Sequence, residues 1–332
     1  MTTLLAGDIG GTKTLLTTYR LAHGQLHRQR SERFVSADWD DFTALVNHYL
    51  EGEAAAERPT HACFAVAGPV RSGKVKLTNL PWELEEISLA ARCGLQQLEL
   101  VNDFAVLIYG LPHLQDHQQA LLRAGSAPRD REAPVAILGA GTGLGVAIGI
   151  PTRHGLKAIA SEASHAEFAP RSEAEWQLKR WLQAGLGLER LSIERIVSGT
   201  GLGEVMRWLL ATEPDATGHP LAAVEATERP AATAAAAAAG DPLARRAMDL
   251  WIGAYGSTAG DLALQTLCSG GLWVGGGTAE KLMHELRSDT FLQPLLGKGR
   301  LSPVVDQVTV MALTDPEAGV FSAACRARSL MG

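Results

Sequence analysis

Leu4-Leu5-Ala6-Gly7-Asp8-Ile9-Gly10-Gly11-Thr12-Lys13-Thr14 decides how the rest of this chain is read. An apolar run ends in Asp8. Two glycines, a threonine and a lysine follow, and the apolar pattern resumes at Leu15 and Leu16. Apolar, turn, apolar over so few residues predicts a β-hairpin. The glycines let the backbone turn tightly and let a ligand approach the main chain with no Cβ in the way. The N–H groups of such a turn, beside a hydroxyl and an ammonium, suit phosphate oxygens. Asp8 at the strand end would repel phosphate unless a cation lay between them. That points to Mg²⁺ with a nucleotide, the ion held by one carboxylate and the phosphates themselves. The plain alternative is a glycine hairpin with a solvated aspartate. The turn is not a Walker A loop, since GxxxxGK followed by Ser or Thr is absent. Nor is it the dinucleotide fingerprint, which needs GxGxxG opening a helix.

Composition narrows the class. A chain of 332 residues carries a prior of about two domains. With 46% hydrophobic and 20% charged residues it can bury a large core, so disorder is not expected. The net charge of −6 argues against a nucleic-acid surface. Cys63, Cys93, Cys268 and Cys325 are scattered and form no CxxC, so neither a zinc site nor a disulfide framework is expected. Buried free thiols in a reducing cytoplasm fit that spacing. The N-terminus lacks a basic region followed by a long apolar run, so no signal peptide is expected. No apolar stretch approaches the roughly 20 residues of a membrane span.

After the hairpin, a polar-alternating run to Val35 predicts a third strand. Residues 38 to 50 have helical spacing, with Phe42, Leu45, Val46 and Leu50 on one side. His61 to Ala67 predicts a buried strand ended by Gly68-Pro69. A helix is expected from Leu84 to Arg92, stopped by Gly94. Leu98 to Val101 predicts another buried strand, running into Asn102-Asp103-Phe104. Strands alternating with helices argue an α/β layer architecture. The polar segment from about 115 to 133 reads as a linker. Then Val135-Ala136-Ile137-Leu138 leads into Gly139-Ala140-Gly141-Thr142-Gly143-Leu144-Gly145-Val146, a second strand–glycine turn–strand unit that echoes the first. Helices are predicted over 173–186, 199–210, the alanine-rich 230–239 and 242–268, with Asp241 capping the last. Residues 270 to 278 form a third strand–glycine turn, and a strand at 307–313 and a helix at 316–330 finish the chain.

Three glycine turns, together with LVNDFAV (100–106) and SEASHAEFAP (161–170), make the pattern specific. The chain resembles the bacterial glucokinases of the proteobacterial type, within the hexokinase and actin-like ATPase superfamily. The matching stretches are GDIGGTKT (7–14), LTNLPW (77–82), LVNDFAV, ILGAGTGLGVA (137–147), SEASHAEFAP, ERIVSGTGL (194–202) and VGGG (274–277). They span nearly the whole chain in the family's order. The zinc-binding cysteine cluster of the related repressor and kinase group is absent.

The resemblance implies an α/β, ribonuclease-H-like sugar-kinase fold of two domains with a cleft between them that closes on the substrates. The first domain is expected at 1–112, joined by the C-terminal helix at 316–332, and the second at 113–315. It implies a glucokinase that transfers the ATP γ-phosphoryl group to the 6-hydroxyl of D-glucose, with ATP and Mg²⁺. It also implies a cytoplasmic homodimer with no nucleic-acid or membrane partner. Carried over, Asp103 matches the catalytic base and a sugar contact, and Asn102 the sugar ligand beside it. Glu162, His165 and Glu194 match further sugar ligands. Gly10, Gly11 and Thr12 match the first phosphate loop, with Asp8 on Mg²⁺. Gly141, Thr142 and Gly143 match the second loop, and Gly275 and Gly276 the adenosine loop. One departure is clear: Ala163-Ser164 stands where two glycines are usual, which bears on sugar affinity and hexose preference.

The chemistry agrees with this assignment. A sugar hydroxyl is a poor nucleophile, and a positioned carboxylate can take its proton as the P–O bond forms. Carboxylates and an imidazole pair with a polyol and penalise the wrong sugar when left unpaired. Phosphoryl transfer otherwise needs alignment and charge neutralisation. Each residue also has a bland reading: Asp103 as a helix N-cap, His165 as a structural histidine, Glu194 as a solvated helix residue. Lys13 reads as a surface lysine, and the tryptophans as core, with Trp82 near Asn79 also placed to line a cleft. The rival functions are a kinase for another hexose or an amino sugar, a sugar-sensing regulator that does not phosphorylate, and an actin-like ATPase. The Asn-Asp pair and the Glu/His stretch argue against the last.

Overall fold

The computed structural model describes residues 2–54, 57–77 and 79–332. In chain order the first elements are β1 (Thr2–Ile9), β2 (Lys13–Ala22), β3 (Gln25–Val35), α1 (Phe42–Tyr49), β4 (His61–Val66), β5 (Lys74–Lys76), β6 (Glu83–Glu85), α2 (Glu86–Cys93), β7 (Gln97–Asn102) and the short α3 (Leu107–Gly110). Next come β8 (Gln119–Arg123), β9 (Val135–Ala140), β10 (Leu144–Thr152), β11 (Gly155–Ser161), α4 (Glu173–Leu186), α5 (Gly199–Thr212), α6 (Arg229–Ala238) and α7 (Pro242–Thr266). β12 (Gly271–Gly275), α8 (Met283–Leu286), α9 (Asp289–Leu296), α10 (Ser302–Asp306), β13 (Val310–Leu313) and α11 (Ala318–Ser329) complete the chain.

The chain groups into two compact units. The first holds Met1–Gln118, Ala147–Ala160 and Asp315–Gly332, and the second Gln119–Val146 and Ser161–Thr314. In the first unit one sheet has the order β3-β2-β1-β4-β7. β1 and β2 are antiparallel, Asp8 facing Leu15, as the opening hairpin predicts. β1, β4 and β7 run parallel, with Ile9 level with Val66 and Val66 level with Asn102. That register puts Asp8 and the Asn102-Asp103 pair at one edge of one sheet, where the parallel strands end. Ligands of open α/β sheets bind outside those carboxyl ends.

Beneath this edge lies a core that includes Leu5, Phe42, Phe64, Trp82 and Leu100. Phe42 meets Phe64 edge-on at 5.1 Å, a geometry that adds about 0.5–1.5 kcal/mol beyond buried area. Trp82 is 2% exposed and donates its indole N–H to Trp39 O at 2.9 Å, so it is core. That anchor fixes the loop between β5 and β6, which Leu77 N–H closes onto Trp82 O at 3.1 Å. Thr78, part of the LTNLPW stretch, lies outside the described residues. Gly94 ends α2 in the left-handed region at φ +70°, as expected of a helix-stopping glycine.

The second sheet has the order β11-β10-β9-β12-β13-β8. β9, β12 and β13 are parallel, with Gly139 level with Gly275 and Leu272 level with Val310. The stretch expected as a linker, 115–133, contains β8, an antiparallel edge strand on β13. Its short, mixed-polarity QALLR sequence suits an edge, where one side meets solvent. A core of the second unit gathers Leu138, Val205, Trp251, Tyr255 and Phe291. α7 is capped by Asp241, whose Oδ1 accepts from Ala244 N at 2.7 Å.

Candidate active site

In the first unit, Gly10-Gly11-Thr12 turns the chain from β1 into β2. Gly10 N–H closes the turn onto Lys13 O at 2.9 Å. The turn is braced from behind by Ser36, fully buried. Ser36 N donates to Thr12 O at 3.1 Å, its Oγ donates to Gly10 O at 3.2 Å, and Oγ pairs with Thr14 Oγ1 at 3.0 Å. A Cβ on Gly11 would stand 3.2 Å from Asn79 Nδ2, so the loop between β5 and β6 closes over the turn. A cavity of about 210 Å³ opens here, lined by Gly10, Gly11, Gly68 and Asn79 among others. Thr12 and Lys13 are exposed at the rim.

Asp8 is half-buried below this turn. Its carboxyl is pushed up to about 6, first by burial and second by the negative charge of Asp103, against a lowering pull from Arg33. A Cβ on Gly319, at the start of α11, would lie 3.5 Å from Asp8 Oδ2, so the first turn of that helix faces the acid.

Asn102 organises the neighbouring strand end. Its Oδ1 accepts from Phe104 N at 3.1 Å and Ala105 N at 3.0 Å. Its Nδ2 donates to Gly68 O at 3.3 Å and to Asp103 Oδ1 at 3.0 Å. The amide thus uses its two acceptor and two donor positions within the protein. The capping residue of this turn is Asn102, and the side chain of Asp103 stays exposed. Asp103 is fixed from its backbone as well, Asp103 N donating to Val66 O at 2.9 Å.

In the second unit, Gly141-Thr142-Gly143 joins β9 to β10, and Gly141 N–H closes the turn onto Gly143 O at 2.8 Å. Gly141 is not in the left-handed region, and a Cβ there would have open space within 4 Å. Neither a positive φ nor a neighbouring atom among the described residues requires glycine at 141. The Gly275-Gly276 turn lies beside it for a different reason. A Cβ on Gly139 would stand 2.6 Å from the Gly275 carbonyl carbon, and Gly276 sits at φ +85° against Ala140 O. Thr278 Oγ1 donates to Ala140 O at 2.6 Å and ties the two turns together.

Glu162 and His165 flank a 3₁₀ turn, Ala163–His165, with His165 Nε2 3.8 Å from Glu162 Oε2. Their side chains are 78% and 56% exposed. Ala163 and Ser164 keep negative φ. The departure from two glycines therefore costs no backbone strain, since this turn uses ordinary φ/ψ space. Glu194 is half-buried in the adjacent 3₁₀ turn Ile193–Arg195, and its Oε2 accepts from Leu144 N at 3.0 Å. Ile193 N donates to Ala166 O at 2.9 Å, so the Glu162–His165 turn and the Glu194 turn are neighbours.

Sequence reasoning left several supporting residues without a role. Ser36 carries no local signal, because it is recruited across a sheet. Asn79 lies within LTNLPW, but its contact with Gly11 depends on the loop's closure. Ser198, Gly199 and Thr200 had a readable signal, a serine directly before a predicted helix. Ser198 Oγ caps α5 by accepting from Gly201 N at 3.0 Å. Gly199 N donates to Gly141 O at 2.8 Å, and Thr200 Oγ1 reaches Thr142 O at 3.4 Å.

Comparison with known proteins identifies the family of the chain as a whole. The family model described as Glucokinase matches residues 5–330. A glucokinase of Nostoc sp. is 38% identical, covering 99% of this chain and all of that protein. A glucokinase of Cupriavidus metallidurans is 33% identical over 93% of this chain and 88% of its own length. Among solved structures, a glucokinase from an Antarctic psychrotroph superposes with a TM-score of 0.86 at 28% identity, covering 99% of both chains.

Proposed function

The chain belongs to the glucokinase family, and from that premise we propose how its residues divide the work of phosphorylating D-glucose with ATP. The fold is the two-domain α/β sugar-kinase fold. The reaction moves the γ-phosphoryl group of ATP to the glucose 6-hydroxyl and yields glucose 6-phosphate and ADP.

Asp103 is the general base. The observation that carries this is its tether: Asn102 spends one amide proton on Asp103 Oδ1 and both acceptor positions on the following turn. A carboxylate so oriented, at the end of a parallel strand and exposed, can accept the 6-hydroxyl proton as the oxygen attacks phosphorus. Asn102 serves first to aim Asp103. It reaches a sugar hydroxyl by exchanging its longest bond, the 3.3 Å contact to Gly68 O. Glu162, His165 and Glu194 take further sugar hydroxyls, and the unstrained backbone at Ala163-Ser164 keeps the first two at their spacing.

Gly10, Gly11 and Thr12 receive phosphate oxygens, as do Gly141, Thr142 and Gly143, while Gly275 and Gly276 border the adenosine. Asp8 fits Mg²⁺. Burial and Asp103 both disfavour its anion, and a divalent cation relieves both. Among the described residues no cluster of three or more His, Cys, Asp or Glu side chains suits a metal. A single carboxylate matches an ion that draws most of its oxygens from phosphate and water. Bound there, Mg²⁺ supplies charge neutralisation to the transferring group.

A cytoplasmic location and a homodimer rest on the family resemblance. Among the described residues no helix is long and apolar enough to cross a membrane. Sedimentation tests the dimer. A coupled assay of ADP release with glucose, beside mannose, fructose and glucosamine, tests the reaction. Glucose is expected to give the highest kcat/KM. Faster turnover of another sugar would reassign the substrate, and sugar binding without ADP release would make the protein a sensor.

A further inference from the structure

Gly143 and Gly141 belong to one turn but are glycine for different reasons. A Cβ at 141 meets nothing, whereas a Cβ at 143 would stand 2.5 Å from Glu194 Oε2. The carboxylate occupies that space because it is bonded to Leu144 N at 3.0 Å. Leu144 is 4% exposed, and a buried N–H needs a partner. Here the partner is a carboxylate oxygen, an acceptor that makes a strong bond to an N–H donor.

The same segment is stapled at both ends. Ile193 N holds Ala166 O on the side of the Glu162–His165 turn, and Gly199 N holds Gly141 O on the other. Trp251 Nε1 fixes the segment to the core through Ser198 O at 2.9 Å. Glu194 therefore stands on a short, rigid span between the residues assigned to sugar and those assigned to phosphate. Its Oε2 is committed to the glycine turn, and its Oε1 is left for a ligand.

We propose that Glu194 is a positioning residue for the nucleotide, holding the Gly141–Gly143 turn open to phosphate through Leu144 N–H even when no sugar is bound. This rests on the reading that the turn takes phosphates. A glucose hydroxyl on Oε1 then draws on the same carboxylate that shapes the nucleotide turn, so the two substrates are coupled through one side chain.

The test is calorimetric titration with Mg²⁺ and a non-hydrolysable ATP analogue, without sugar. Glu194→Ala should weaken binding roughly 10-fold or more, the scale of one lost hydrogen bond to a carboxylate. Glu194→Gln keeps an oxygen for Leu144 N–H and should stay within about 3-fold of the native affinity. Gly143→Ala forces the carboxylate aside and should match Glu194→Ala. In a Glu194→Ala background the same alanine at 143 should cost little, because the clash is gone. Native affinity in Glu194→Ala, or equal costs of Gly143→Ala in both backgrounds, overturns the proposal. If Glu194→Ala fails to fold, Gly143→Ala carries the test, and undiminished affinity there overturns it. Gly141→Val separates the two levels. If it abolishes binding while Glu194→Ala does not, the turn is a phosphate site and only the role of Glu194 falls. If it binds normally, the reading of the turn itself falls.

Discussion

The two glycine turns that follow β1 and β9 share a backbone device and differ in where their carboxylate comes from. Each is closed by an N–H of its first glycine onto a carbonyl a few residues on, Gly10 to Lys13 and Gly141 to Gly143. The first carries its own acid: Asp8 sits two residues before the turn, with Asp103 near enough to raise its pKa. The second strand, Val135–Ala140, has no acid. Its carboxylate arrives from Glu194 and is spent on Leu144 N–H. On the proposed reading, the first turn stands beside the groups that hold a cation and take a proton, Asp8 and Asp103. The second has its first N–H closed onto Gly143 O and its nearest acid bonded through one oxygen to Leu144 N. On the proposed reading, the same local motif serves chemistry in one unit and grip in the other.

The sharpest way to break this contrast is to remove the base. Asp103→Asn keeps shape and hydrogen bonding but cannot accept a proton, and turnover should fall roughly 100-fold or more while glucose still binds. Near-native turnover would remove Asp103 from the chemistry. Asp8→Ala should follow, with a roughly 10- to 100-fold loss in productive use of Mg–ATP and intact glucose binding without nucleotide. Loss of glucose binding with normal Mg²⁺ dependence would reverse that role.

The acid of the first turn should also leave a pH signature that the second lacks. With Asp8 at about 6, lowering the pH through 6 protonates it, and kcat/KM for Mg–ATP should drop about 10-fold by pH 5. Asp8→Ala should abolish that limb, and a limb unchanged in that variant would assign it to another group. The stability effect has the opposite sign. Because the folded pKa is raised, the fold favours the neutral acid, and the stabilisation present below pH 4 is lost as pH rises through 6. Asp8→Asn should therefore melt higher than the native protein at pH 7, and an equal or lower midpoint would contradict the burial argument.

The smallest effect belongs to the departure at 163 and 164. Since Ala163 and Ser164 keep negative φ, Ala163→Gly with Ser164→Gly should change glucose KM only about 2- to 5-fold, the local entropy cost of two glycines. A native chain that ignores glucose, rescued by the double glycine, would mean that the turn had disabled the sugar site.

Much of the first unit was legible because its signals are local. The apolar run into Asp8 and the turn at Gly10-Gly11 reads as a hairpin and folds as one. The buried run ending in Asn102-Asp103 becomes β7, level with β1 through β4. What was not legible depends on distant partners. Ser36 braces the first turn from 22 residues beyond Thr14, and Glu194 bonds Leu144 across 50 residues. Glu194 has the composition of a solvated helix residue, and only the fold brings it to a glycine. Asn102 matches a sugar ligand through the family resemblance, whereas its saturated amide is a matter of packing. The strand β8 was hidden in a polar stretch because an edge strand needs only half an apolar pattern.

Gly141→Val tests the division of labour most directly. Open space around the missing Cβ means the chain should fold, so the variant isolates what the bare backbone does for a ligand. Titrated separately with glucose and with a non-hydrolysable ATP analogue plus Mg²⁺, it should bind glucose with native affinity and bind the nucleotide weakly or not at all. Native nucleotide affinity in the folded variant would place the second turn away from the phosphates and contradict the account.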